Sequence, residues 1–338
     1  MPDLAVANQG GPPGLPLGLP GEPGGSGSGN SVSVLLNLGR GTFTPQAIYA
    51  VGSEPESVAS GDFNADGRPD IAVVNLADGT VSALINQGNG IFGPPQVYAA
   101  ATDPSSVAVG DLDGDGKLDL AVAVIETDTL RSTVRILLNE GDGTFTPSVA
   151  VGDGWGVAVG DLNSDGKLDL VVLSASGGIG TVGVLLNLGS GTFAPQVSCA
   201  VGNQPYDVAL GDFNGDGRLD LSVANFEDGT VSILLNQGNG AFASQNIFAV
   251  GGAPYSVTTG DFDGDGRLDF AVANQDPNTI DVLLNQGDGT FAPPKVFVVG
   301  TNPQSVVTAD FNGDGRLDLA VANWTDGTVS VLLNDCTR

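Results

Sequence analysis

The chain contains no histidine. That absence removes His general bases, Ser–His–Asp and Cys–His nucleophile pairs, and His-ligated zinc and haem. Cysteine is nearly absent: Cys199 and Cys336 are too few for a disulfide framework and say little about redox compartment. Basic residues number 11 against 39 acidic ones, a net charge of −28. With no basic stripe to displace counterions, nucleic acid is excluded as a partner and an anionic membrane surface is disfavoured. No apolar run of about 18 residues occurs, so no membrane insertion is expected. Residues 1–10 also lack the basic and apolar regions of a signal peptide.

What remains is rich in glycine (52 of 338 residues) yet 41% hydrophobic, so it is neither a disordered acidic tail nor too short to bury a large core. Repetition dominates it. The motif Asp-x-(Asp/Asn)-x-Asp-Gly-(Arg/Lys)-x-Asp begins at Asp62, Asp111, Asp161, Asp212, Asp261 and Asp310, at spacings of 49, 50, 51, 49 and 49 residues. An apolar run follows each copy, then a turn and a second apolar run. Asn-x-Gly-x-Gly-x-Phe comes next, and a last extended stretch ends near Val-Gly.

Four short strands per repeat account for this pattern: A (as at 106–110), B (118–123), C (231–235) and D (196–201), with Gly, Asn and Asp at the junctions. Strand B is apolar or small on both faces, so both should be buried. Four-stranded antiparallel sheets packed on both faces and repeating every 40–50 residues are the pattern of an all-β propeller. Residues 1–50 supply strands B, C and D, because 3–8 matches 318–323, and the C-terminus supplies A, B and C. The expectation is a single domain over 1–338 with seven blades, the first and last incomplete. The start within a motif points to a fragment or a truncated gene. A Pro/Gly/Ser-rich, collagen-like loop at 9–30 interrupts the first blade; four triplets on one chain cannot form a triple helix, and a linker loop is expected.

The repeated loops carry the chemistry. Carboxylates at positions 1, 3, 5 and 9 converge because Gly at position 6 permits a sharp turn, and position 7 adds its backbone carbonyl. Hard oxygens in that number suit Ca²⁺. The candidate ligands are Asp62, Asn64, Asp66, Arg68 and Asp70; Asp111, Asp113, Asp115, Lys117 and Asp119; Asp161, Asn163, Asp165, Lys167 and Asp169. The second half of the chain adds Asp212, Asn214, Asp216, Arg218 and Asp220; Asp261, Asp263, Asp265, Arg267 and Asp269; Asp310, Asn312, Asp314, Arg316 and Asp318. An EF-hand is excluded, since position 12 is Val in all six loops (Val73, Val122, Val172, Val223, Val272, Val321) where a bidentate Glu is needed. The loops hold 20 of the 39 acids, and six Ca²⁺ would add twelve positive charges to the −28.

These repeats resemble the FG-GAP/VCBS repeats of integrin α-chain propellers, related bacterial surface proteins and fungal lectins, over nearly the whole chain except 9–30. The resemblance implies a propeller with structural calcium in the A–B loops of one rim, acting outside the cell or at its surface in adhesion or ligand binding. This chain departs from integrins in its shorter repeats and in lacking Phe-Gly…Gly-Ala-Pro.

At the other rim one position before strand A varies: Glu56, Ser105, Trp155, Tyr206, Tyr255, Gln304. Trp155, Tyr206 and Tyr255 are the candidate ligand-binding residues for a protein or carbohydrate partner, the alternative being that they plug the central channel or pack between loops. Trp324 falls in the same face loops. Catalysis by a carboxylate pair would draw on Glu56, Asp207, Glu227 and Asp228, but no constellation stands apart from the repeat. The chain is therefore expected to bind rather than to catalyse, the alternative being a carbohydrate-active lyase or hydrolase, or its sugar-binding domain.

Overall fold

The computed structural model describes residues 1–9, 29–126, 131–176 and 178–335. Of the collagen-like segment expected at 9–30, residues 10–28 lie outside the described residues, as does Cys336, while its ends Gln9 and Asn30 belong to strands. No helix forms among those described, and none is therefore long and apolar enough to cross a membrane. Seven antiparallel sheets follow one another along the chain, five of four strands between a first and a last of three. This is the expected seven-bladed propeller with incomplete end blades.

Blade 5 shows the pattern: A (Pro205–Gly211), B (Asp220–Asn225), C (Thr230–Leu234) and D (Asn246–Ala249) pair in that order. Strand B is buried at every residue in blades 2, 5 and 6, because a neighbouring blade covers each face. Strand D is the exposed outer edge, as in Lys295–Val298. Blade 1 has B (Leu4–Gln9), C (Asn30–Leu35) and D (Ala47–Ala50) among the described residues, and blade 7 has A (Pro303–Ala309), B (Asp318–Asn323) and C (Thr328–Leu332).

The core is divided between the blade interfaces. Seven apolar clusters occur, one per neighbouring pair, and the last joins Leu4 and Leu35 of blade 1 to Phe311 and Ala320 of blade 7, closing the ring. Position 2 of each Asp loop (Phe63, Leu112, Leu162, Phe213, Phe262, Phe311) enters these interfaces as a buried side chain.

One element goes beyond the four-strand reading. Asn-x-Gly-x-Gly-x-Phe forms its own small hairpin, as at Asn187–Gly189 with Thr192–Phe193. Its Asn is a clasp. The Asn187 side-chain amide donates to Leu168 O of its own blade and to Leu112 O of the preceding blade, both at 2.9 Å. Asn139, Asn236, Asn285 and Asn334 repeat the inter-blade bond to Phe63, Leu162, Phe213 and Phe262. Asn37 of blade 1 makes it to Phe311 O of blade 7 at 3.1 Å, so the same contact closes the circle.

Asn187→Ala should therefore lower stability by roughly 2–4 kcal/mol, since two buried carbonyls lose their donor. Urea unfolding checks this, and a loss below about 0.5 kcal/mol, the range of neutral surface changes, would contradict it.

Candidate functional site

Each Asp loop joins the end of strand A to the start of strand B, so all six complete copies lie at the same end of the propeller. Within a loop the carboxylates are held by backbone N–H groups. Position 1 accepts from the Gly N at position 6 at 2.7–2.9 Å in every copy. Position 3, whether Asp or Asn, accepts from the N of position 5, and position 5 accepts from the N of position 7. The Gly at position 6 has φ between 82° and 87°, and at Gly116 a Cβ would meet nothing within 4 Å. Glycine is required there for its backbone conformation and not for space.

This wrapping gathers the side chains of positions 1, 3 and 5. In the two loops with three aspartates there, Asp111, Asp113 and Asp115, and Asp261, Asp263 and Asp265, one oxygen from each lies within 4.8 Å of the others. Those triplets can bind a metal ion. The other four loops place Asn64, Asn163, Asn214 or Asn312 at position 3, which keeps an oxygen but removes a charge.

Position 7 contributes a cation as well as a backbone. Arg68, Lys117, Lys167, Arg218 and Arg267 pair with the Asp at position 5 at 2.5–3.2 Å, while Arg316 donates to Asn334 O at 3.5 Å. These exposed pairs hold loop shape more than they add stability.

The aspartate at position 9 has a different setting. Asp70, Asp119, Asp169, Asp220, Asp269 and Asp318 are buried. One carboxylate oxygen of each accepts from the N of position 2 at 2.9 Å. The other accepts from the backbone N of the hairpin Asn at 2.7–2.8 Å. Each oxygen keeps a second lone pair, except the Asp318 oxygen that also accepts from Asn312 N at 3.2 Å. Burial pushes Asp119 and Asp269 up to about 6 against those donors, and the neighbouring carboxylates add to it: Asp113 and Asp115 for the first, Asp263 and Asp265 for the second.

At the opposite end lie the starts of the A strands. Tyr206 and Tyr255 are brought together, with ring centroids 4.6 Å apart, and Phe226 joins them at 4.8 Å from Tyr206 and 6.1 Å from Tyr255. Tyr206 is 42% exposed, so the cluster has an open face. Burial raises the Tyr255 hydroxyl, and the charge of Glu56 adds to it. Glu56 accepts from the Gln9 amide; crowding raises its carboxyl, Gln9 opposes the rise and Glu54 adds to it. Trp155 is separate from the three rings. Its indole N–H donates to Pro205 O at 3.0 Å and its ring packs partly buried against the cluster between blades 4 and 5.

Two of the other carboxylates serve the backbone. Asp207 accepts from Val208 N and Val257 N at 2.8 and 2.9 Å, linking the A strands of blades 5 and 6. Asp228 accepts from Asn203 N at 2.8 Å and from its amide at 3.1 Å. Glu227 is exposed. The residue-by-residue reading missed Phe226 and Gln9. Phe226 occupies the place of Trp324 in the following turn of its repeat, which is the signal that could have found it.

Burial pushes the Asp207 carboxyl up to about 6, with the Ser256 hydroxyl and two N–H groups opposing. A raised acid leaves the folded chain binding more protons than the unfolded one between its ordinary value and about 6, so this group makes stability fall as pH rises through that window. Asp207→Asn should flatten that part of the melting-temperature profile from pH 4 to 7. An unchanged profile would show that Asp207 ionises normally.

Six overlapping segments, 1–73, 62–122, 120–172, 161–223, 212–272 and 261–321, match the FG-GAP-like repeat. No curated protein matches the chain. Among solved structures it is similar to an Agrocybe aegerita lectin described as recognising non-reducing terminal N-acetylglucosamine, with 21% identity, 90% of this chain and 88% of that chain covered, and a TM-score of 0.56. It is similar to the Pseudomonas aeruginosa periplasmic gluconolactonase PpgL (17% identity, 89% and 91% covered, TM-score 0.60). It is also similar to BBS1N in complex with ARL6DN (14% identity, 91% and 90% covered, TM-score 0.61). At these identities the likeness is one of fold alone. The repeat match, by contrast, spans nearly the whole chain, and on it the chain belongs to the FG-GAP-like repeat family.

Proposed function

We propose that this chain is a calcium-fastened propeller that binds carbohydrate outside the cell or at its surface, through the face opposite its Asp loops. The observation that carries the reading is the open aromatic shelf of Tyr206, Tyr255 and Phe226 beside Glu56 and Gln9. Sugar rings stack their C–H faces on aromatic side chains, while carboxylates and amides take their hydroxyls. The Agrocybe aegerita lectin, similar in fold, is described as binding a terminal amino sugar, which favours this ligand class.

Calcium is the cation the loops fit best. Their donors are all oxygens, numerous and flexible, whereas Mg²⁺ demands near-octahedral geometry and keeps its waters. Residues 1, 3 and 5 of each loop would hold it from the open side, with the carbonyl of position 7 and the free lone pairs of position 9 behind. Outside cells, modules of this kind work at roughly 0.1–1 mM calcium.

A sugar lactonase or glycoside hydrolase is the second reading, prompted by the raised Glu56 carboxyl and the fold likeness to a gluconolactonase. Binding is favoured over it because two of the three acids expected beside Glu56, Asp207 and Asp228, are engaged by backbone N–H groups, leaving the exposed Glu227 alone of that set.

Two measurements test the proposal. At a hundredfold excess over Kd each calcium adds about 2.7 kcal/mol to stability, so chelation should lower Tm by roughly 10 °C or more. An unchanged melting curve after verified metal removal would refute structural calcium. On a glycan array, Tyr206→Ala with Tyr255→Ala should cut binding at least ~10-fold while leaving the melting temperature in calcium intact. Trp155→Ala, whose ring is packed, should instead lower stability. Normal sugar binding by the double variant would assign the shelf to channel packing, and released product from any bound sugar would favour the hydrolase.

A further inference from the structure

The aromatic shelf and the acids of its face fit a ligand that is cationic as well as ring-shaped. Tyr206, Tyr255 and Phe226 stand 4.6–6.1 Å apart, centroid to centroid, and are tilted by 41–84°. The electron-rich face of an aromatic ring attracts an ammonium placed within about 6 Å of its centroid. Tyr206 is open to solvent, and Tyr255 and Phe226 are half-buried. Glu56, from blade 2, is exposed, and its charge acts on the Tyr255 hydroxyl, which puts a carboxylate beside the rings.

Glu56 has no counter-charge in this setting. Its bonded partner is the neutral Gln9 amide, and the charge acting on it is that of another acid, Glu54. Crowding raises its carboxyl, Gln9 opposes the rise and Glu54 adds to it, the direction expected of an acid that no cation meets. The surrounding turns continue the pattern. In blades 2, 5, 6 and 7 the D–A and B–C connections hold Glu54, Asp78, Glu227, Asp228, Asp276 and Asp326 and contain no Lys or Arg. Three of these acids are fixed by the facing turn: Asp78 accepts from Ser53 N at 2.6 Å, Asp228 from Asn203 N at 2.8 Å and Asp326 from Thr301 N at 2.5 Å. At the other end, by contrast, six of the eleven basic residues occupy position 7 of the Asp loops. The recognition face is thus negative without the cations that the loop rim carries.

We propose, resting on the carbohydrate reading above, that the shelf selects sugars bearing a free, protonated amine over their N-acetylated or neutral counterparts. The ammonium lies against the rings of Tyr206 and Tyr255 and pairs with Glu56, while the C–H face of the sugar covers the rest of the shelf. Acetylation removes the charge that both the rings and the carboxylate attract, so the preference is built from the same groups that hold the sugar.

The probes are the disaccharide of glucosamine and its di-N-acetylated form, titrated calorimetrically into the full chain in calcium. At about pH 6.5 and ~0.15 M salt the amine is protonated and long-range attraction to an acidic chain is screened. The free amine form should bind at least ~10-fold more tightly, a comparison that leaves the protein unaltered. Glu56→Gln, at an exposed position, should reduce the preference to below ~3-fold. Tyr206→Ala with Tyr255→Ala should abolish it. Equal or tighter binding of the acetylated form overturns the inference and leaves the carbohydrate reading standing. So does binding of neither at ~10 mM while a glycan array retains a neutral sugar. An array with no bound sugar refutes the carbohydrate reading itself. A preference that survives in the ring variant also overturns the inference, assigning the attraction to the net charge of the chain.

Discussion

A buried carboxylate at the first residue of strand B organises the propeller. One of its oxygens receives the N–H that begins the Asp loop's descent into the core, and the other receives the N–H of the hairpin Asn. That Asn then reaches the preceding blade through its side-chain amide. A charge in a buried place costs free energy unless such donors meet it, and here each donor belongs to a different part of the blade. Loop, sheet, hairpin and neighbouring blade are thereby set by one constellation. Asp3 receives the Asn37 N–H in the same manner at 2.7 Å, and the Asn37 amide reaches Phe311 O, so blade 1 is joined to the ring as well.

The two ends of the strands follow different rules. At the loop end every repeat is built alike, because each must wrap the same oxygens around the same turn. That concentrates 20 of the 39 acids at one rim and makes a divalent cation the natural counter-charge. At the other end the strand starts need only a buried Pro or its equivalent, and the next side chain is free to differ: Glu56, Ser105, Tyr206, Tyr255 and Gln304. A symmetric scaffold thus presents one asymmetric patch, and three of its rings come from blades 5 and 6 alone.

The blades were legible in the sequence because period, strand alternation and turn glycines all agree within each repeat of about 50 residues. The strand count, including the incomplete ends, follows from matching 3–8 to 318–323. What was not legible depends on contacts between repeats. Asn187 looks like a turn residue until Leu112 O is brought to it across 75 positions. Trp155 and Tyr206 occupy equivalent places, yet one indole bonds Pro205 O while the other ring stacks, a difference set by which blade stands beside each.

The central claim is that the Asp loops are cation sites which fasten this ring at one end and free the other for recognition. Crystals grown in calcium, with diffraction collected for the calcium anomalous signal, test it most directly. The account predicts an anomalous peak inside each loop at 62–70, 111–119, 161–169, 212–220, 261–269 and 310–318, strongest in the two that carry three aspartates at positions 1, 3 and 5. Loops without peaks at saturating calcium would contradict it.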